Sequence, residues 1–193
     1  LSLLDKYPGR LSQEYLTQCS GYCHGGYFDA ADHMKEPGVP LWDEVPYTAS
    51  CWPRCKKGTP VAKIKDWYFL GYNKRPTDKD LITYLAVEKM PLSVTVAAGG
   101  AWSSYRSGVY NGCNTRSTNH MINIVGYDCE GKCEFGADGM LPNNKGTWVL
   151  RNSWGADWGE SGFMISKITN SRGSRCNSVA ERAFSRAAGE MNF

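Results

Sequence analysis

Two stretches of this chain decide how it folds: NHMINIVGY at residues 119–127 and WVLRNSWGADWGESGF at residues 148–163. The composition of both predicts a β-strand. His120 opens the first predicted strand, and Asn152 closes the second, directly before a turn rich in tryptophan and glycine. The thirty-two residues between them leave room for the two strands to lie side by side.

A histidine and an asparagine in this arrangement have a specific chemical use. The amide oxygen of Asn152 can accept the proton on one imidazole nitrogen of His120, which fixes the tautomer of the ring. Trp154, two residues later, can cover that hydrogen bond and keep water away from it. A lone histidine would be read as an ordinary core residue, but here the whole pattern accompanies it.

Composition limits the class of protein. The chain has 193 residues, 41% of them hydrophobic, which suffices for one sizeable core or two small lobes. The net charge is +3 with scattered Lys and Arg, so no basic stripe for nucleic acid is predicted. No apolar run approaches the ~18 residues that a membrane span needs. The chain begins at Leu1 without a Met, which suggests an internal or processed start.

Eight cysteines suggest disulfides and an oxidising compartment. Sequence alone leaves 105 possible pairings of eight cysteines. Three Cys-x3-Cys spacings, beginning at Cys19, Cys51 and Cys129, resemble metal-ligand pairs, but they lie in loop-like sequence without a histidine pair. Structural zinc is therefore the less favoured interpretation, and no metal site is predicted.

The chain changes character near Trp67. Before it, Ser12 is a predicted N-cap of a short helix within residues 11–19, and a second helix is predicted over residues 27–34. After it, Thr77 caps a predicted helix over residues 78–90, whose buried stripe is Leu81, Ile82, Leu85 and Ala86. Short strands follow at 92–96, at the two stretches quoted above and at 163–168, joined by glycine turns that suggest a small antiparallel barrel.

The two quoted stretches, with CHGG at residues 23–26, resemble the papain-like cysteine proteases, the cathepsin family. This resemblance implies an α+β, two-lobe fold, with residues 1–68 as the remainder of the helical lobe and residues 69–193 as an antiparallel β-barrel lobe. It implies a peptidase that uses Cys/His/Asn chemistry without a cofactor. His120 and Asn152 would be catalytic, and Trp154 and Trp158 would support the active site.

The nucleophile that this family needs is missing from the chain. The family signature, C-G-(S/A)-C-(W/Y), lies roughly 130–150 residues before the histidine, which is about 10 to 30 residues before Leu1. Cys51 has similar neighbours in ASCW but precedes His120 by only 69 residues, inside a short polar loop. We therefore expect an upstream segment of the same precursor to carry the nucleophile. The alternatives are an inactive papain-fold binding or structural protein, and a relative with Ser in place of Cys.

The resemblance also assigns substrate contacts and disulfides. Gly25 and Gly26 match glycines whose backbone pairs with an extended peptide. The other predicted substrate-binding residues are Phe28, Thr95, Thr118, Asn119 and Glu181. The implied disulfides are Cys19–Cys55, Cys113–Cys176 and Cys129–Cys133, with the partner of Cys23 upstream and Cys51 left over.

Residues 128–146 form an insertion that is longer than the usual family hairpin and contains Cys129 and Cys133. We favour a disulfide-closed surface loop over a functional lid. The expected partners are peptide or protein substrates and a propeptide or cystatin-like inhibitor, with neither nucleic acid nor membrane. The expected location is secreted or lysosomal/vacuolar, with synthesis as a zymogen.

Overall fold

The computed structural model describes residues 9–21, 25–50, 55–71, 74–112, 118–142 and 145–168, together with the backbone of 183–187. The chain divides into two compact units. The first contains Leu1–Trp67 and Arg186–Phe193, and the second contains Tyr68–Ser185. The boundary thus lies beside Trp67, where the sequence changes character.

The first unit is helical in its described part. Helix α1 spans Gln13–Ser20, and the Ser12 hydroxyl caps it by accepting a hydrogen bond from the Tyr15 backbone at 2.9 Å. The helix predicted over residues 27–34 is instead a 3-10 turn, Phe28–Ala31, that continues into α2, Asp32–Lys35. Tyr15, Val39 and Val45 form the buried core of this unit.

The remaining elements are one longer helix and the strands of a sheet. Helix α3 spans Asp78–Glu88, and a short 3-10 turn spans Gly100–Trp102. The strands are β1 Asp66–Phe69, β2 Leu92–Val96, β3 Val109–Tyr110, β4 His120–Asp128, β5 Thr147–Arg151, β6 Phe163–Lys167 and β7 Ala183–Ala187.

The predicted closed antiparallel barrel is not what the described strands form. They make one seven-stranded sheet in the order β1-β7-β2-β4-β5-β6-β3, with β1 and β3 at its two edges. Most pairs are antiparallel, but β3 pairs with β6 in parallel, with Val109 opposite Ile165. The α+β prediction therefore holds, with described strands that form an open, mixed sheet.

Thr77 caps α3 as predicted, within a complete capping box that involves Asp80. The buried face of the helix differs in part from prediction, since Tyr84 is buried and Ala86 is exposed. Leu81, Ile82 and Leu85 are buried as expected and pack in the core beside the inward-facing residues of β2 and β4. This core also contains Trp102, Leu150 and Met164.

Strand register determines what meets at each end of the β4–β5 hairpin. His120 lies opposite Val96 of β2, and Leu150 of β5 lies opposite Ile124 of β4. Because β4 and β5 are antiparallel, the start of β4 and the end of β5 meet at the same end of the sheet. His120 and Asn152 are thus brought together, and the insertion joins the opposite ends.

Among the residues that the structure describes, no helix has the length and apolar character that crossing a membrane requires.

Candidate active site

His120 and Asn152 are joined by a hydrogen bond at the end of the sheet. His120 Nε2 lies 2.8 Å from Asn152 Oδ1. The same oxygen accepts the Ser153 backbone N–H at 2.8 Å, which identifies it as the carbonyl oxygen of the amide. Because a carbonyl oxygen only accepts, Nε2 carries the proton and Nδ1 of a neutral His120 is left as the basic nitrogen.

Asn152 is held firmly in this orientation. Its side chain is 5% exposed, and its backbone N–H donates to Gly162 O at 2.9 Å. Its amide nitrogen has no hydrogen-bond partner among the described residues. The orientation therefore depends on the two hydrogen bonds that the oxygen accepts.

One tryptophan stacks on His120 beside the His120–Asn152 hydrogen bond, and a second packs against the first. The Trp154 ring stacks on the His120 ring, with centroids 4.9 Å apart and planes inclined by 28°. Trp158 meets Trp154 edge to face at 5.4 Å and is itself buried. Excluding water strengthens a buried polar contact, so these rings stabilise the pair.

Asn119 holds the start of β4 in place. Its amide Nδ2 donates to Ala98 O and its Oδ1 accepts from Ala98 N, both at 2.8 Å. Its own backbone N–H donates to Val96 O at 3.0 Å. The Asn119 amide, which is predicted to bind substrate, is thus engaged with the backbone that follows β2, and its substrate role stays a prediction.

The predicted substrate residues fall in both units. Gly25 and Gly26 are exposed in the first unit, with Gly25 at φ 128°, and Phe28 begins the 3-10 turn. In the second unit, Thr95 lies on β2 opposite Met121, and its buried hydroxyl has no partner among the described residues. Thr118 directly precedes Asn119 and begins a described segment. Glu181 falls outside the described residues.

Two of the implied disulfides are present in the structure, Cys19–Cys55 and Cys129–Cys133. The third, Cys113–Cys176, lies outside the described residues, as do Cys23 and Cys51. Within the described ranges, no group of three or more His, Cys, Asp or Glu residues is placed to hold a metal ion.

The insertion, residues 128–146, lies at the end of β4 remote from His120. His120 and Asp128 are the two ends of β4, about 26 Å apart at roughly 3.3 Å per residue. Leu141 of the insertion is 1% exposed, and its backbone N–H donates to the Asp78 carboxylate at 2.9 Å. Burial raises the pKa of Asp78, against the opposing effects of the Leu141 hydrogen bond and Arg75. These contacts anchor the insertion to α3, which fits a fixed, disulfide-closed loop better than a moving lid.

Sequence reasoning missed two residues beside the tryptophans. The Tyr105 hydroxyl and the Gly108 backbone N–H both lie 2.8 Å from Glu160 Oε1. The Tyr105 ring packs against Trp158 at 5.7 Å. Glu160 stands inside the quoted tryptophan- and glycine-rich pattern, but nothing in the sequence indicates that it reaches Tyr105, fifty-five residues earlier.

The site combines an imidazole oriented by a buried asparagine with an indole stacked on the imidazole, at the end of an open sheet in an α+β fold. This combination defines the papain-like class of protein. The comparison with protein families agrees: residues 5–186 match the family described as "Papain family cysteine protease". The chain belongs to this family, so the predicted family and the α+β, papain-like fold class are confirmed.

Individual relatives show how far the likeness extends. The chain is similar to zingipain-2 of Zingiber officinale, at 31% identity over 80% of this chain and 65% of that protein. It is 29% identical to a cathepsin L-like proteinase of Fasciola hepatica, over 86% of this chain and 48% of that protein. The solved structure of the bromelain protease from Ananas comosus gives a TM-score of 0.73 at 29% identity, covering 94% of this chain and 79% of that one. The chain thus spans less than two thirds of the curated relatives' length.

Proposed function

We propose that this chain supplies the base and its orienting group to a cysteine peptidase that hydrolyses peptide bonds. The observation that carries the proposal is the His120–Asn152 hydrogen bond beneath Trp154. Asn152 holds the Nε2–H tautomer, so Nδ1 can take the proton of a cysteine thiol. The thiolate attacks the peptide carbonyl, and the imidazolium returns the proton to the leaving amine.

We propose further that the nucleophile is a cysteine carried by a segment upstream of Leu1. None of the eight cysteines in the chain stands in the family signature at the required distance from His120. Four of them, at positions 19, 55, 129 and 133, form disulfides and have no thiol to offer.

A thiol-directed active-site label followed by mass spectrometry tests this proposal. In the full-length protein, the label should enter one cysteine upstream of Leu1 and abolish peptide hydrolysis. Rapid labelling of Cys51 would contradict the upstream nucleophile. Hydrolysis that persists after complete thiol blocking would favour the serine relative, and a folded protein without hydrolysis would favour the inactive binding protein.

The substrate is proposed to be an extended peptide that pairs with the backbone of Gly25 and Gly26. Both residues are exposed with open space around the Cα, so a ligand backbone can approach them. Thr95, Thr118 and Glu181 are proposed to line a specificity pocket, and Phe28 is proposed as a further substrate contact. Glu181 is the charged member of this set, so a substitution of Glu181 alone tests whether charge contributes to substrate selection.

A carboxylate at Glu181 would let the pocket accept Arg as well as Phe, through a charge-assisted hydrogen bond. Glu181→Ala should therefore abolish cleavage of a substrate with Arg as the second residue before the scissile bond. Cleavage of the matching substrate with Phe at that position should persist. The measurement is kcat/KM for two substrates that differ only at the second residue before the scissile bond. If the ratio of kcat/KM for the Arg and Phe substrates is unchanged in Glu181→Ala, Glu181 does not contact the substrate there.

The proposed partners are peptide or protein substrates and a propeptide or cystatin-like inhibitor. A secreted or lysosomal/vacuolar location is proposed because disulfides persist in oxidising compartments, and Cys19–Cys55 and Cys129–Cys133 are both formed. The proposed reaction requires neither a metal nor an organic cofactor.

A further inference from the structure

The tryptophan loop, residues 153–162, carries both tryptophans of the candidate site. Its backbone is closed on itself, because Gly162 N–H donates to Trp158 O at 2.8 Å and Glu160 pairs with Phe163 at 2.9 Å. The Trp158 indole nitrogen, in contrast, has no hydrogen-bond partner among the described residues. The orientation of this ring therefore depends on what packs against it.

Tyr105 is the residue that packs against Trp158 from outside the loop. Its ring is 6% exposed and lies 5.7 Å from the Trp158 ring. Its hydroxyl lies 2.6 Å from Gly108 O and 2.8 Å from Glu160 Oε1, and it accepts the Ile165 backbone N–H at 3.3 Å. Burial, and next the Glu160 hydrogen bond, raise the pKa of Tyr105, so the phenol keeps the proton that it donates.

Glu160 ties the tryptophan loop to the segment that contains Tyr105. Besides the phenol, its Oε1 accepts the Gly108 backbone N–H at 2.8 Å. The neighbouring Gly159 shows how closely the loop approaches Tyr105, since a Cβ built there would lie 3.1 Å from the tyrosine ring. Although Glu160 is itself exposed, its carboxylate is held by both the Tyr105 hydroxyl and the Gly108 backbone.

We propose that Tyr105 and Glu160 are positioning residues that hold Trp158, and through it Trp154, over the His120–Asn152 hydrogen bond. Four rings form a continuous series from Tyr105 through Trp158 and Trp154 to His120, with successive centroids 5.7, 5.4 and 4.9 Å apart. The consequence for catalysis rests on the proposed peptidase function, whereas the positioning itself does not.

Trp154 is the weak point of this series, because it is 40% exposed. Its described ring contacts are His120 on one side and Trp158 on another. If Trp158 turns, Trp154 loses its edge-to-face partner and water gains access to the bond between His120 and Asn152. A hydrogen bond that competes with water contributes less, so the His120 ring would be less firmly oriented.

Tyr105→Phe in the full-length protein tests the proposal, since it keeps the ring and removes only the hydroxyl. The direct measurement is the exchange rate with water of the His120 Nε2–H, by NMR of protein labelled with 15N at histidine; a His120→Ala sample assigns the signal. We expect Tyr105→Phe to accelerate this exchange about fivefold to tenfold, which is the effect of losing the hydroxyl's contact with Glu160. We expect kcat to fall by a similar factor with KM unchanged.

Tyr110→Phe is the matched control. Tyr110 belongs to the same aromatic cluster, with its ring 6.2 Å from Tyr105, but among the described residues it is the Tyr105 hydroxyl, not that of Tyr110, that bonds to Glu160. It should leave both the exchange rate and kcat unchanged. Glu160→Ala should behave like Tyr105→Phe, while Glu160→Gln, which keeps an acceptor oxygen, should restore most of the protection.

Unchanged exchange of His120 Nε2–H in both Tyr105→Phe and Glu160→Ala would overturn the proposal, even if both variants lose thermal stability. Equal acceleration in Tyr105→Phe and Tyr110→Phe would overturn it as well. Acceleration confined to Tyr105→Phe and Glu160→Ala supports it. If that pattern occurs in a parent protein that hydrolyses no peptide, the positioning inference stands and the proposed function fails.

Discussion

The two ends of the β4–β5 hairpin are built from different kinds of contact. At one end, His120 and Asn152 share a 2.8 Å hydrogen bond that is covered by a stacked indole. At the other end, the insertion is closed by the Cys129–Cys133 disulfide and attached to α3 through Leu141 and Asp78. The first end orients a half-buried imidazole, and the second end secures a loop.

The separation of these ends explains how one sheet can combine them. They lie about 26 Å apart along β4, at roughly 3.3 Å per residue. Substitutions that far apart and without shared contacts usually act independently. The hairpin therefore permits a long, cross-linked insertion without disturbing the geometry around His120, and the predictions below test that independence.

The largest expected effect comes from His120→Ala in the full-length protein, which removes the proposed general base. Peptide hydrolysis should fall by about 10²–10⁴-fold. His33→Ala in α2 is the matched control, since His33 lies in the first unit and should leave kcat/KM unchanged. If His120→Ala and the parent hydrolyse the peptide at comparable rates, His120 is not the general base.

The next effect in size is that of Asn152→Ala, which keeps the base but releases its orientation. We expect kcat to fall by about 10²-fold, because a small misplacement of a catalytic group has a cost of that order. KM should change much less, since the orienting bond matters most in the transition state. Asn123→Ala, which removes an asparagine of β4 bonded to Ser93, is the control for loss of a strand amide.

At the opposite end, replacing Cys129 and Cys133 together with Ser should affect stability alone. Opening a cross-linked loop this short costs about 2 kcal/mol of unfolding free energy in the chain-entropy treatment. We expect kcat/KM to stay within about twofold of the parent, because sites this far apart act independently. If the variant is fully folded but its kcat/KM is markedly lower, the insertion acts as a lid.

The smallest effect is the pH dependence contributed by Asp78. Because burial raises its pKa in the folded state, the folded protein holds this proton more tightly than the unfolded chain does. The resulting stabilisation is fully present below the unfolded pKa of about 3.9 and is lost as pH rises through the folded pKa.

Thermal unfolding from pH 4 to pH 7 checks this prediction by comparing the parent with Asp78→Asn. The Tm of the parent should decline relative to the variant as pH rises, at roughly 2–4 °C per kcal/mol for a chain of this size. The Asp80→Asn variant serves as a control for a carboxylate in the same helical turn. A Tm difference that stays constant across this range would show that Asp78 does not titrate there.

Local features of the fold could be predicted from the sequence. Ser12 and Thr77 were identifiable as N-caps because a cap depends on residues within one helical turn, and both caps are confirmed. Sheet closure depends on strands far apart in sequence, which is why the sequence predicts a barrel where the described strands form an open sheet with a parallel edge. On α3, the burial of Asp78 depends on Leu141, sixty-three residues away, and no periodicity in the helix indicates it.

The candidate site shows the same limit. The His120–Asn152 pair could be anticipated, because each residue lies at the end of a recognisable strand. Tyr105 and Glu160 could not, since their contact joins a turn near β3 to the tryptophan loop across fifty-five residues. The tryptophans that cover the pair belong to the sequence pattern, whereas the contact between Tyr105 and Glu160 behind them is visible only in three dimensions.

The central claim is that Asn152 acts through His120, and a double-mutant cycle on kcat tests it most directly. The His120→Ala, Asn152→Ala and doubly substituted full-length proteins are compared with the parent on one peptide substrate. Because Asn152 only orients the base, it should contribute nothing once His120 is absent, so the double variant should match His120→Ala alone. Losses that multiply, with the double variant slower than His120→Ala by the full factor of Asn152→Ala, would contradict the account.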